Sequence, residues 1–152
     1  LFQKAKKNNV LLYVDEVQSF LNKKIILKKY NYIKRQKQGS GDPKDLLFRF
    51  AYHDFYFLYE KVKKYKISNI KIINIKDCLE FKIDFGNKTF FFHYNLNSKK
   101  KIHSFNSINL ITRKDVLSKM IKDVLNEKVD FKNNKNKSLF ANKLIDKIIK
   151  KI

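Results

Sequence analysis

The stretch from Leu79 to Leu96 restricts the possible folds of this chain more than any other. Leu79-Glu80-Phe81-Lys82-Ile83-Asp84-Phe85 alternates apolar and charged residues, the period of a strand with one dry and one wet face. Gly86-Asn87 follows, a two-residue loop of the kind that reverses a hairpin, because Gly takes positive φ without steric cost. The return run is Lys88-Thr89-Phe90-Phe91-Phe92-His93-Tyr94-Asn95-Leu96. With the turn placed there, Ile83 falls opposite Phe90, Phe81 opposite Phe92 and Leu79 opposite Tyr94 on one face. The other face pairs Glu80 with His93, Lys82 with Phe91 and Asp84 with Thr89. A slip of one residue would turn the apolar set towards water, so turn and pattern specify the same register.

Other elements organise around this hairpin. Ile67–Ile75 is rich in β-branched residues and reads as a strand; Ile70 and Ile72 share one face and Ile73 and Ile75 the other, which is an interior strand or one containing a bulge. Ile102–Leu110 could add a fourth, edge strand, whereas residues 97–101 read as a polar basic loop. Four helices are expected. One spans Val10 to about Asn22, capped by Asn8 or Asn9 with Asp15 and Glu16 near its start. The second starts at Asp42-Pro43, with Asp as cap and Pro in the first turn, and runs to about Tyr65. It carries so many aromatics that it must be buried on two sides, by sheet and helix or by a partner protein. The third follows a capping-box-like Thr112-Arg113-Lys114-Asp115 and runs to about Lys128. The last, residues 138–152, is capped by Ser138 after a polar connector, and a basic lead of residues 1–9 opens the chain. The expectation is a single α+β domain over residues 1–152, with a three- or four-stranded antiparallel sheet packed against about four helices.

Charge is the feature the fold does not explain. The chain carries 35 basic against 14 acidic residues, a net +21, and three of the basic residues are Arg. Abundant Lys, Asn, Ile, Phe and Tyr is the bias of an A+T-rich genome, which accounts for Lys over Arg but not for the shortage of Asp and Glu. The surplus therefore points to contact with a polyanion. The cations are spread along the chain instead of along one amphipathic helix, which favours nucleic acid over a membrane surface. The basic-aromatic run Lys23, Lys24, Lys28, Lys29, Tyr30, Tyr32, Lys34, Arg35 and Lys37 is the leading candidate surface. There Lys would meet phosphates, and Tyr30 and Tyr32, two apart on a strand, would stack on bases. Lys4, Lys6, Lys7, the run Lys99, Lys100 and Lys101, and the connector residues Lys132, Lys135 and Lys137 complete the expected RNA-binding set.

Catalytic signatures are weak. Gly39-Ser40-Gly41 lacks the Gly-Lys-Ser/Thr of a P-loop. His53-Asp54 are neighbours on a helix and diverge by about 100°, so they do not face each other. Glu80-Phe81-Lys82 has the Glu-x-Lys form of metal-dependent nucleases, with both side chains on one strand face, but it also fits the wet side of a hairpin. Cys78 stands alone, which excludes an internal disulfide and argues against a Cys-based zinc site. His53, His93 and His103 are dispersed at no metal-ligand spacing. The expectation is no enzyme, no metal, no cofactor and no small-molecule substrate. No apolar run is long enough to span a bilayer, and the leading Leu1 suggests a processed or truncated product, or a non-standard start codon.

Basic ends such as Lys4-Ala5-Lys6-Lys7 and Lys147–Lys151, with Lys clusters in the loops of a small α+β domain, resemble a mitochondrial ribosomal protein of an A+T-rich, protist-like genome. That resemblance implies a structural rRNA-binding component of the mitochondrial matrix, neutralising phosphates while aromatic faces of the 43–65 helix pack on neighbouring proteins. The competing expectations are a cytoplasmic location, an accessory subunit of an organellar membrane complex, and a nuclease using Glu80 and Lys82.

Overall fold

A computed structural model gives the structure of the protein. It describes residues 1–15, 17–21, 23–42, 44–112 and 114–152, Lys114 by its backbone alone. Their elements run α1 (Phe2–Lys7), a 3₁₀ turn (Val17–Phe20), β1 (Tyr30–Gln38), a π-helical turn (Leu47–Ala51) and α2 (Tyr52–Val62). Then come β2 (Ile67–Asn74), β3 (Leu79–Phe85), β4 (Lys88–Asn95), β5 (Asn97–Phe105), β6 (Ile108–Asn109), α3 (Lys114–Leu125) and α4 (Phe131–Ile149). The α+β class stands, but the sheet is larger and of a different kind than expected. It has six strands in the order β2-β3-β4-β1-β5-β6. β1 lies between β4, which it pairs in parallel, and β5, which it pairs antiparallel.

The hairpin is built as its pattern requires. Leu79 pairs with Tyr94, Phe81 with Phe92 and Ile83 with Phe90, and Gly86 turns at φ 59°. Every second residue of β3 is buried, and the Phe81 and Phe92 rings stack at 4.7 Å between centroids. Phe55 of α2 meets both rings edge-on, and Phe140 of α4 lies against Phe85. The core is therefore an aromatic layer between one sheet face and the α2–α4 pair, with large rings excluding water over most of the hidden area. Bulges at Ile67/Asn69 and Ile72/Asn74 account for the switch in the isoleucines of β2, which is an edge strand and not an interior one.

The structure corrects several local expectations. Residues 2–7 form a short helix, whereas 10–15 are irregular and only Val17–Phe20 turn, in a 3₁₀ coil. The apolar spacing from Val10 to Leu21 is satisfied by docking instead of by a helix: the Asn134 amide bonds both the N–H and the C=O of Val14 at 2.9 and 2.8 Å. Asn22, expected at that helix's end, and Glu16, near its start, lie outside the described residues, as do Pro43 and Arg113 of the two expected caps. Asp42 does accept from the Lys44 N–H at 2.7 Å. The aromatic helix ends at Val62, and most of its rings are spent in the chain's own core; Phe48, 58% exposed, is the large apolar exception. Asn97–Lys101 is strand, not loop, because β1 supplies a partner that local pattern cannot reveal. The last helix begins seven residues early, capped by Asp130, whose carboxylate accepts from the Asn133 N–H. Ser138 lies buried within it, bonded to the Tyr52 hydroxyl at 2.7 Å. Among the described residues no helix is long and apolar enough to cross a membrane.

Candidate active site

At the C-terminal end of β1 the covered face of the sheet opens into a cavity of about 190 Å³. β1 contributes Arg35, Gln36 and Lys37, β5 contributes Lys101 and His103, and Gln18, Phe50 and Thr112 close the sides. Alternation along β1 sets this up. Asn31 and Ile33 point inwards, so Arg35 and Lys37 share their face. Antiparallel pairing then puts Arg35 directly opposite His103.

Beneath the cavity sits a buried acid–base pair. His103 Nε2 lies 2.8 Å from Asp54 Oδ1, with His103 5% and Asp54 1% exposed. The Arg35 guanidinium is 3.9 Å from the same carboxylate oxygen, 3.4 Å from the Phe50 carbonyl and stacked on the Phe50 ring at 4.8 Å. That carbonyl belongs to the π-helical turn, a distortion often found beside functional sites. Burial opposes ionisation of Asp54, but the charges of His103 and Arg35 and the hydrogen bond from His103 outweigh it, holding the carboxyl below its ordinary value. Asp54 Oδ2 faces the buried Tyr94 hydroxyl, neither having a hydrogen bond of regular geometry. Burial, then the Asp54 charge, raise the Tyr94 hydroxyl well above its ordinary value, so it stays a neutral donor.

The cavity mouth is cationic. The Lys37 ammonium is held below its usual value by burial and then by the charges of Arg49, Arg35 and Lys101. His53, partly buried beside the pair, is lowered by burial and then by Arg35. Chemically, this is a pocket whose rim favours an anion and whose floor holds an imidazole oriented by a carboxylate. A ring donating Nε2–H to Asp54 keeps Nδ1 as a proton acceptor, the arrangement used in general base catalysis.

Of the residues expected to bind RNA, Arg35, Lys37 and Lys101 converge here, Lys6, Lys132 and Lys135 line a separate hollow beside Phe131, and the rest do not gather. Lys4, Lys6 and Lys7 lie on α1, and Lys23, Lys24, Lys28 and Lys29 on the approach to β1. Lys99 and Lys100 lie on β5 and Lys132 and Lys135 on α4. Lys137 is buried with its ammonium 5.5 Å from the Tyr56 ring centre. Tyr30 and Tyr32 do share the outer sheet face, with Lys34 beside them, but Tyr32 already stacks on Phe91 at 5.0 Å. Glu80 and Lys82 turn to different partners, Glu80 to His93 at 2.5 Å and Lys82 to Asp84 at 3.8 Å, which leaves no nuclease-like pair. Sequence reasoning rightly separated His53 from Asp54 but missed His103 as the partner. The inward parity of Arg35 and Lys37 after Ile33 was the available signal; the strand opposite them was not.

No family model and no curated protein sequence matches the chain. Among solved structures it is similar to UDP-N-acetylglucosamine 3-dehydrogenase GnnA from Acidithiobacillus ferrooxidans. That likeness has 8% identity, a TM-score of 0.66, and covers 99% of this chain and 64% of the other. The chain thus spans under two thirds of its neighbour's length, and what the two share is a fold. A fold shared with an enzyme stands against the expectations of a ribosomal component, with its membrane-complex and nuclease alternatives, and of a non-enzyme, and the cations divide between scattered surfaces and separate concavities.

Proposed function

We propose that this chain is the substrate-binding part of an enzyme acting on an anionic substrate, a phosphate-bearing sugar nucleotide being the class that fits best. One observation carries the reading: Arg35, Lys37 and Lys101 line a cavity floored by the buried His103–Asp54 pair. The structural neighbour is named for a uridine diphosphate sugar, whose two phosphates would satisfy that cationic rim. In this role Lys37 and Lys101 hold the anion and Arg35 orients Asp54. His103 exchanges a proton with a substrate hydroxyl, Asp54 steadying the imidazolium that forms. The three glycines, Gly39, Gly41 and Gly86, make no Gly-x-Gly-x-x-Gly fingerprint, so the proposal covers anion binding and proton transfer and assigns no dinucleotide site to these residues.

Calorimetric titration of the full chain with UDP-N-acetylglucosamine, and separately with inorganic phosphate, tests it. Lys37→Ala and Lys101→Ala should each weaken binding about tenfold or more, the scale of one lost charge-assisted bond. Lys147→Ala, an exposed cation on α4, should leave it unchanged. No binding at millimolar ligand, or equal weakening by Lys147→Ala, overturns the proposal.

A further inference from the structure

The outer face of the sheet carries a second cluster, remote in chemistry from the anion cavity. Cys78, Glu80 and His93 each offer one ligand atom, and these atoms lie within 4.8 Å of one another. Their placement follows from the hairpin. Cys78 lies in the bend just before β3, two residues ahead of Glu80, while His93 is the direct cross-strand partner of Glu80. Cys78 is buried, and Glu80 and His93 are half-buried, so the cluster is rooted in the sheet yet open on one side.

A further contact argues that the imidazole is positioned and not merely accommodated. The Gln36 side-chain amide lies 2.9 Å from His93 Nε2, while His93 Nδ1 lies 2.5 Å from Glu80 Oε1. Both ring nitrogens are therefore engaged from opposite sides by side chains of adjacent strands. A second residue that fixes the far nitrogen is the usual support of a metal-bound histidine, setting both tautomer and ring orientation. Glu80 and His93 are held opposite each other by the continuous β3–β4 pairing, and β1, which carries Gln36, is paired along the other side of β4.

We propose that Cys78, Glu80 and His93 form a site for a divalent transition metal, zinc above all. One thiolate, one imidazole and one carboxylate is a donor set of borderline softness, which suits Zn²⁺ and disfavours Mg²⁺ or Ca²⁺. Three protein ligands leave a fourth position open, the arrangement of metals that bind a water or an exogenous ligand. On binding, the thiol proton leaves to solvent and the metal takes the place of the proton between His93 Nδ1 and Glu80. The imidazole proton moves to Nε2 and is donated to the Gln36 amide oxygen after the amide turns over. The site is independent of the anion cavity, although Gln36 touches both.

Cobalt(II) titration of the reduced full chain tests this. A one-to-one complex is expected, with a sulfur-to-cobalt charge-transfer band in the near ultraviolet and intense visible bands of four-coordinate cobalt, displaced by Zn²⁺. Cys78→Ser should abolish the charge-transfer band, and His93→Ala the visible intensity. Gln36→Ala should keep both bands but weaken metal affinity by about 10–100-fold. Lys101→Ala, in the other site, should change none of these readings, so the two proposals fail separately. Absence of a charge-transfer band in the unsubstituted chain, or visible bands that stay unchanged in His93→Ala, overturns the assignment.

Discussion

Asp54 on α2 and His103 on β5 meet at 2.8 Å although 49 residues separate them, and both are almost wholly withdrawn from water. Each is the other's main compensation for burial. Removing one strands the other, at a cost of about 3–5 kcal/mol for a broken buried pair. Urea denaturation should show losses of that size for Asp54→Ala and for His103→Ala. The double variant should lose clearly less than the sum, because the second deletion removes an already unpaired group. Additive losses would show that the two side chains are supported separately.

The pH dependence of stability should fall in two windows. His53 is lowered in the fold by burial and then by Arg35, so the unfolded chain takes up its proton first, at about pH 6.5. The stability linked to His53 is complete above that pH and shrinks as pH falls towards the folded value. Asp54 is also lowered, His103 and Arg35 outweighing burial, so its contribution is complete above about pH 4 and lost as pH falls through the folded value. Urea midpoints measured between pH 8 and pH 2 should decline in both windows. His53→Gln should flatten the upper one and Asp54→Asn the lower.

Gly86 turns the hairpin at φ 59°, and a Cβ there would stand 3.1 Å from Tyr65 Cδ1. Gly86→Ala should cost about 1–2 kcal/mol from backbone strain, with a further loss where the Tyr65 ring must yield. Adding Tyr65→Ala should remove only the crowding part of the Gly86→Ala penalty. Thermal denaturation of the single and double variants separates the two.

Asn134 anchors the irregular segment after α1 through two bonds to Val14. Asn134→Ala should destabilise the chain by about 1–3 kcal/mol, the range for a lost hydrogen-bonded partner. The sharper readout is local: the Val14 amide should lose hydrogen-exchange protection well before the amides of β3.

What was legible in the sequence was what neighbouring residues decide among themselves. The register of Leu79–Phe85 with Lys88–Asn95 is written in alternation and in a turn, and the structure repeats it pair for pair. The reading failed where a distant segment decides. Lys99, Lys100 and Lys101 are all exposed and show no alternation because they fall in the irregular stretch of β5 between its pairings with β1 at Asn97 and Ile102. Residues 10–15 have helical spacing but are claimed by Asn134 instead. The cavity was half visible for the same reason: Arg35 and Lys37 were identifiable as cations on one side of a strand, whereas Asp54 and His103 become partners only once α2 crosses the sheet. The grouping of Glu80 and His93 around Cys78 was likewise not read from the sequence, because it depends on the cross-strand pairing and not on cysteine spacing.

The position of β1 has a consequence for how the molecule is made. It comes before the other described strands in the sequence and lies inside the sheet, yet its neighbours β4 and β5 are joined directly to each other in the chain. Until residues near Phe105 have emerged, β1 has no completed slot, and the slot must be filled from the side by a segment long since extruded. A nicked or shortened product lacking β1 would bare two facing rows of unpaired amides and carbonyls, along β4 and β5, a ready acceptor for a strand donated by another molecule.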